Sequence, residues 1–396
     1  MMDQTVKKHI ITLQGFYLFA FFGVGSLFPL LSVYLSEVEQ LSGYQIGTIM
    51  SIGPIIMIFF QPIWGIICDA TSKPAKVLSI TTAFAGVFGI GYVFLHEYLW
   101  LVAVAVMIAI FQSAIIPVSD SITLKYTSKV RVNYGNIRLF GSLGFGVAVF
   151  VMGHLSEGWM GPQVIFYAFF LSLLIASLLA LRSPKEKAST AINIKSGMKE
   201  LLTLKKFLLF LAITFLVFGP NLANNTYFGL FVEDSGGTYT GIGIAFMIAV
   251  LSEIPFMRVA GSLIARIGLL PIATLAGIAS LVRWIFYFTE PSLWLVYSSA
   301  IIQGFSLGLF IPAGLQYIKE ITPSHITVTA ITVYAAIGNG LGNWFSTFAG
   351  GLIYDSFNIY GVYLFFAALS LIGVILSFWL MKMEKGTLTY RQVQES

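Results

Sequence analysis

Apolar residues along this chain occur in long runs that turn residues and charges interrupt at intervals. Each run is long enough for a helix to cross a hydrocarbon core of about 30 Å. The pattern therefore predicts twelve transmembrane helices with short connections between most of them. Their expected ranges are 10–36, 44–68, 77–95, 98–124, 136–155, 163–181, 207–232, 239–263, 271–289, 293–318, 328–353 and 361–381.

One connection is much longer than the others and is polar throughout. It covers 182–206 and reads RSPKEKASTAINIKSGMKELLTLKK. We predict that it is a linker between an N-terminal six-helix bundle at 1–181 and a C-terminal six-helix bundle at 207–396.

Basic residues predict how the helices are oriented. Of the 22 Lys and Arg residues, only Arg138, Arg258 and Arg283 fall inside predicted spans, and all the others fall in segments on one side. Cytoplasmic loops carry the excess of Lys and Arg in membrane proteins. We therefore expect both termini to be cytoplasmic.

The composition agrees with an integral membrane protein. The chain is 57% hydrophobic and 10% charged, whereas soluble domains average about 25% charged residues. The net charge of +5 is explained by the cytoplasmic loops, so nucleic acid is not an expected partner. The expected partners are the lipid bilayer and a small-molecule solute, and we expect a monomer. The single cysteine, Cys68, excludes a disulfide within the chain.

The two predicted bundles resemble each other in sequence. Shifting the chain by 196 residues superimposes Gly47 on Gly243, Gly65 on Gly261, Gly144 on Gly340, Gly146 on Gly342, and Phe169-Phe170 on Phe365-Phe366. Such duplication is typical of secondary transporters, in which two bundles move around a central binding site.

The first predicted cytoplasmic loop, GIICDATSKPAK, resembles a loop motif of the major facilitator superfamily. The resemblance implies a cytoplasmic gate formed by Gly65, Asp69 and Lys73, with Arg266 in the equivalent segment GSLIARIG. In such a gate the small glycines allow close helix contact. The second glycine and the arginine of the motif are missing from the first loop.

Longer segments resemble the lactose permease, phenylpropionate permease and nucleoside–proton symporter group of that superfamily. The stretch IPVSDSITLKYTSKVRVNYGNIRLFGSLGF matches the fourth helix, the following loop and the fifth helix of these proteins. The resemblance implies a solute site that includes Asp120 and Arg138, and it places Phe145 where the lactose permease has an aromatic residue that stacks on a sugar. LSEIPF supplies an acid in the eighth helix, Glu253, and LVRWIF supplies an arginine in the ninth, Arg283.

Charges inside a membrane are costly unless they are paired or face water, so each of these side chains needs a partner. Asp120 and Arg138 lie at similar depths on consecutive antiparallel helices and can pair. Their pair either joins the two helices or holds the solute, because Arg donors and a carboxylate acceptor suit hydroxyls and carboxylates. Glu253 either binds the transported proton, alone or shared with the solute, or forms a fixed ion pair with Arg283. Asp120 is the second candidate for proton coupling.

The chain departs from the lactose-permease pattern in its C-terminal half. Gln303 and Ser306 stand where that pattern has a histidine and a glutamate, so a histidine proton relay is not supported. Asn221 and Asn224 replace aspartates of the seventh helix. We expect Asn224 and Gln303 to contact the solute, or else to join helices. Further polar residues in the spans that fit a cavity or helix contacts are Gln14, Tyr17, Gln112, Asn225, Tyr227, Asn339 and Asn343.

We therefore expect an all-α membrane protein with the major facilitator fold, located in the plasma membrane of a prokaryote. The expected function is proton-coupled uptake of a small polar solute such as a nucleoside or sugar, with the proton as coupling ion and with no cofactor or metal. Uptake of an aromatic carboxylate, or export of a drug or lipid, are the alternatives. The absence of HExxH, GxSxG and P-loop motifs argues against an enzyme.

Overall fold

The structure is a computed structural model and describes residues 4–158, 160–184 and 199–395. Within these residues every regular element is a helix. The first ten helices are α1 (Gln4–Glu37), α2 (Gly43–Thr71), α3 (Pro74–Phe94), α4 (Tyr98–Val130), α5 (Tyr134–Glu157), α6 (Val164–Leu181), α7 (Lys205–Asp234), α8 (Tyr239–Ile267), α9 (Leu269–Phe288) and α10 (Leu293–Ile321).

The eleventh predicted span, 328–353, departs from a regular α-helix. It forms α11 as three consecutive segments: Thr327–Ala335, the π-helical Ala336–Gly342, and Asn343–Phe357. The π-helical segment reads AIGNGLG, and glycines weaken the α-helical preference enough to admit the wider turn. The last helix, α12, covers Ile359–Glu395.

Eleven helices of the described chain, all except α11, are individually long and apolar enough to cross a membrane. Together with the segmented α11 they cover all twelve predicted spans. The chain therefore has the all-α membrane architecture that its hydropathy predicts.

Helix α4 is interrupted where the sequence predicts one span. It consists of Tyr98–Gln112 and Ile115–Val130, with turn residues between them. The break lies just before Pro117, which has no N–H and whose ring crowds the preceding turn. Asp120 lies in the segment that begins after this break, so the break sets the direction of the helix segment that carries the carboxylate.

The described chain divides into two compact units. The first unit comprises Met1–Ala191 and Asn225–Met247, and the second comprises Ile192–Asn224 and Ile248–Ser396. The boundaries expected from the sequence, two bundles at 1–181 and 207–396 joined by a linker at 182–206, stay a prediction. Residues 185–198 of that linker lie outside the described residues.

In the first unit, α1 packs against α5 and α6, and α3 packs against α6. Helices α1 and α5 approach so closely that a Cβ built on Gly144 would collide with the backbone carbonyl of Leu18. A Cβ on Gly25 would lie 2.6 Å from the carbonyl oxygen of Phe145. Without a hydrophobic force between helices in lipid, such close packing of small residues holds a bundle together.

In the second unit, α9 packs against α10 and α12. A Cβ on Gly219 of α7 would lie 2.6 Å from the carbonyl oxygen of Gly342 in α11. The α3–α6 and α1–α5 contacts of the first unit thus recur six helices later as α9–α12 and α7–α11. This recurrence agrees with the predicted duplication.

Candidate functional site

The ion pair predicted between α4 and α5 is present in the first unit. Arg138 Nε lies 3.9 Å from Asp120 Oδ1, and the two side chains are 29% and 28% exposed. Arg138 lies near the start of α5, where the side chain of Asn133 caps the helix by accepting the N–H of Gly135 at 2.8 Å. The break before Asp120 and the cap before Arg138 therefore position the two charges.

Asp120 has a shorter contact with α1. Tyr17 Oη donates a hydrogen bond of 2.5 Å to Asp120 Oδ1, and Tyr17 itself is fully buried. Arg138 in turn lies over two rings of α1, with its Cζ 4.2 Å from the ring centroid of Phe21 and 5.5 Å from that of Tyr17. These cation–π contacts with α1 stabilise the guanidinium in its position.

The cluster of Asp120, Arg138 and Tyr17 offers both hydrogen-bond acceptors and hydrogen-bond donors. The carboxylate of Asp120 accepts hydrogen bonds, whereas the Arg138 guanidinium has five N–H donors. A single contact of 3.9 Å between partly exposed groups is a weak ion pair. A polar solute that offers both hydroxyl donors and acceptors can therefore compete for each group.

Helix α5 carries two further features on the face of Arg138. A Cβ on Gly141 would lie 2.6 Å from Arg138 Nη1, so the glycine makes room for the guanidinium. Phe145, seven residues after Arg138, is half-buried and meets Phe246 edge-to-face at 6.5 Å. Its stacking on a sugar ring stays a prediction.

Glu253 lies on α8 in the second unit and is half-buried. Its backbone runs along α10, because a Cβ on Gly304 would lie 2.7 Å from Glu253 N and one on Gly308 would lie 3.0 Å from Glu253 O. These two glycines therefore allow α8 and α10 to pack at backbone distance. The proton-binding role of Glu253 stays a prediction.

Arg283, the charge partner predicted for Glu253, is bound by a residue of its own helix. Arg283 is 1% exposed, and its Nε donates to Tyr287 Oη at 2.9 Å. The two terminal nitrogens have no hydrogen-bond partner among the described residues. Tyr287 stands four residues later on α9, so its hydroxyl lies on the same helix face as the guanidinium. The pairing of Glu253 with Arg283 stays a prediction.

Asn224 and Gln303 are brought together, as two residues of one hydrogen-bonded chain. Tyr363 Oη donates to Asn224 Oδ1 at 3.1 Å, and Asn224 Nδ2 donates to Gln303 Oε1 at 3.4 Å. Both amides are buried, at 0% and 7% exposure. Both Oδ1 and Nδ2 of Asn224 are thus hydrogen-bonded to protein groups, as expected of a residue that joins helices. Contact of Asn224 and Gln303 with the solute stays a prediction.

The expected gate residues lie at helix ends. Lys73 and Arg266 are exposed, and Asp69 is half-exposed in the last turn of α2. The close helix contact expected at Gly65 is absent, because no atom of the described residues lies within 4 Å of a Cβ built there. The segment containing Arg266 ends at Gly268, whose φ of 93° strongly favours glycine.

Two contributors to the Asp120–Arg138 cluster were not identified from the sequence as site residues. Phe21 received no role, and Tyr17 was expected only as one of several polar residues in the spans. A helical spacing of four residues links Tyr17 to Phe21, and the same spacing links Arg283 to Tyr287. The spacing shows which residues share a helix face, but not which neighbouring helix that face meets.

Comparison with known proteins gives a consistent result. The model of the MFS_1 like family matches residues 10–367. A Bacillus subtilis protein described as the uncharacterized transporter YwbF is 52% identical over 387 residues, which cover 98% of this chain and 97% of that protein. The maltose permease of Geobacillus stearothermophilus is 45% identical over 371 residues, covering 93% and 94% of the two chains.

A solved structure extends the likeness to the fold. The crystal structure of the nucleoside transporter NupG aligns with a TM-score of 0.82 and 18% sequence identity. The alignment covers 95% of this chain and 99% of the other. The shared feature is the arrangement of helices.

Proposed function

Because the chain belongs to the MFS_1 like family and is a multi-pass membrane transporter of the major facilitator superfamily, we propose that it takes up a sugar or nucleoside by proton-coupled symport. Transport proceeds by alternating access, in which one binding site is exposed to either side of the membrane in turn. The solute is a small polar molecule.

The observation that carries this proposal is the cluster of Asp120, Arg138 and Tyr17. Its charges lie inside predicted membrane spans yet remain partly exposed. A purely structural ion pair in lipid gains from being buried and tightly hydrogen-bonded, whereas this one is long. Tyr17 holds the carboxylate in place while the guanidinium donors remain available to a solute.

A sugar suits this cluster best. Neighbouring hydroxyls of a sugar can donate to Asp120 and accept from Arg138 at the same time, which gives the bidentate recognition at which arginine is effective. The 45% identity to a maltose permease supports the same class. Nucleosides carry comparable ribose hydroxyls and stay within the proposal.

Proton coupling is proposed to rest on Glu253, with Asp120 as a second carboxylate that can take part. Both are acids in predicted membrane spans, where a protonated carboxyl is less costly than a carboxylate. Reversible protonation during the transport cycle would let either acid carry a proton with the solute.

Uptake into proteoliposomes tests the proposal. Maltose, a nucleoside and 3-phenylpropionate are supplied separately, with and without an inward proton gradient, to wild type and to Glu253→Gln. We expect gradient-dependent accumulation of maltose or the nucleoside, and its loss in Glu253→Gln with downhill flux retained. Accumulation of 3-phenylpropionate alone would establish the aromatic-carboxylate alternative, and accumulation that Glu253→Gln leaves unchanged would refute the role of Glu253.

A further inference from the structure

Arg283 combines deep burial with unused hydrogen-bond donors. The residue is 1% exposed, and its terminal nitrogens Nη1 and Nη2 are both buried without a hydrogen-bond partner in the part of the chain that the structure describes. Only Nε is engaged, with Tyr287 Oη, which also contacts Ser299 Oγ at 2.9 Å. Four N–H donors of a permanently charged group therefore remain unsatisfied inside the second unit.

Aromatic rings enclose this guanidinium. Its Cζ lies 5.1 Å from the ring centroid of Trp284 and 5.0 Å from that of Tyr287. Tyr363 stacks on Trp284 at 5.8 Å and meets Tyr287 edge-to-face at 4.9 Å. Cation–π contact offsets part of the cost of burying the charge, but it does not satisfy N–H groups in the guanidinium plane.

Among the described residues, no carboxylate forms a hydrogen bond with these nitrogens. The indole N–H of Trp284 is likewise buried without a hydrogen-bond partner among these residues. Arginine keeps its proton in proteins, so the guanidinium carries a permanent positive charge. A buried charge without a hydrogen-bonded counter-charge is strongly destabilising, and each buried unsatisfied donor adds to that cost.

We propose that Arg283 binds a small monovalent anion through Nη1 and Nη2. One negative charge balances the single guanidinium, whereas a divalent anion would leave a net charge buried. The enclosing rings favour a compact anion, such as a halide or a planar carboxylate group. The anion comes either from solution, as chloride, or from the carboxylate of a bound molecule, and both make the same contacts with the N–H fork.

The site lies wholly within the second unit and does not depend on the proposed transport of a sugar or nucleoside. Its test is therefore a binding measurement that needs no transport. Purified full-length protein in detergent is heated at constant ionic strength while chloride replaces gluconate, a much bulkier anion that serves as the reference. A parallel series replaces gluconate with formate, which presents a carboxylate.

We expect the melting temperature of the wild type to rise with chloride or with formate and to reach a plateau, because an anion that binds only the folded state stabilises it. Arg283→Gln should abolish the rise. Arg258→Gln, which removes an exposed arginine of α8, should retain it. A response to formate but not chloride would identify a carboxylate as the bound group.

Two results would overturn the proposal: no saturable response to either anion in the wild type, or the same response in Arg283→Gln. If Arg283→Gln does not fold, Arg283→Lys replaces it. Lysine keeps the charge but loses the two-nitrogen fork. The half-saturating anion concentration should then rise about tenfold, as expected for one lost charge-assisted hydrogen bond. An unchanged concentration in Arg283→Lys would count against the site.

Discussion

Asp120 is held more firmly by Tyr17 than by Arg138, because the hydrogen bond from Tyr17 Oη is 2.5 Å long and the ion pair is 3.9 Å long. The tyrosine fixes the carboxylate, and the rings of Tyr17 and Phe21 steady the guanidinium. The two charged groups therefore lie close together, and both keep hydrogen-bonding capacity for a solute.

Tyr17→Phe tests this division of roles. The substitution removes one hydroxyl, so Asp120 loses its fixed orientation and can swing towards Arg138. We expect the KM for the transported solute to rise about tenfold, as for one lost hydrogen bond to a charged group. Tyr92→Phe is the matched control, since Tyr92 is also a buried tyrosine of the first unit but lies against Phe166.

A KM that stays at the wild-type value in Tyr17→Phe would contradict the positioning role. An equal rise in both variants would indicate general loosening of the unit. Substrate-dependent uptake rates in proteoliposomes measure both quantities.

The sequence predicted the Asp120–Arg138 pair but not the residues that surround it. Consecutive antiparallel helices bring residues of similar depth together, which is enough to pair two charges. The partnership of Glu253 with Arg283 stays a prediction, because depth alone does not determine side-chain direction. The hydroxyl of Tyr287, one turn away on the same helix, bonds Arg283 Nε.

Among the helices, the contact of α1 with α5 does most to position the candidate site, since it carries Tyr17 and Phe21 to Arg138. That contact depends on glycine at the crossing, where the backbone of Leu18 leaves no space for a Cβ on Gly144. The helices can meet at backbone distance only because no side chain separates them.

Gly144→Ala should therefore push α1 and α5 apart. A carbonyl of the main chain cannot move aside as a flexible side chain can, so we expect a loss of about 1–3 kcal/mol in unfolding free energy. Thermal unfolding in detergent measures the change. Gly53→Ala is the control, because nothing lies within 4 Å of a Cβ built at Gly53 of α2.

If Gly144→Ala has the same melting temperature as Gly53→Ala and the wild type, the α1–α5 contact at Gly144 does not contribute measurably to stability. The structure shows close packing of α1 and α5 at Gly144. The sequence did not predict the π-helical turn in α11, because apolar run length is the same for an α-helix and a π-helix.

For the whole molecule, hydropathy was sufficient to predict the all-α membrane architecture. The number of apolar runs between loops gives the number of spans. Each span has to form a helix, because backbone groups without hydrogen bonds are too costly in lipid. The sidedness of the chain follows from Lys and Arg alone and stays a prediction.

Cysteine labelling tests that sidedness. In a Cys68→Ser background, Glu97→Cys lies in the exposed turn between α3 and α4, and Ser128→Cys lies in the exposed last turn of α4. With both termini in the cytoplasm, a membrane-impermeant thiol reagent should label position 97 in intact cells and position 128 only after permeabilisation. The reverse labelling pattern would invert the topology.

Binding of the solute to purified protein reports on Arg138 itself, since it does not depend on proton coupling or on the transport cycle. Isothermal titration of maltose, or of whichever solute uptake identifies, is compared between wild type and Arg138→Gln, with folding checked by melting temperature. We expect Arg138→Gln to stay folded and to bind at least about tenfold more weakly, because a charged hydrogen-bond donor to the solute is lost. Equal affinity in the two proteins would contradict the role of Arg138 in binding the solute.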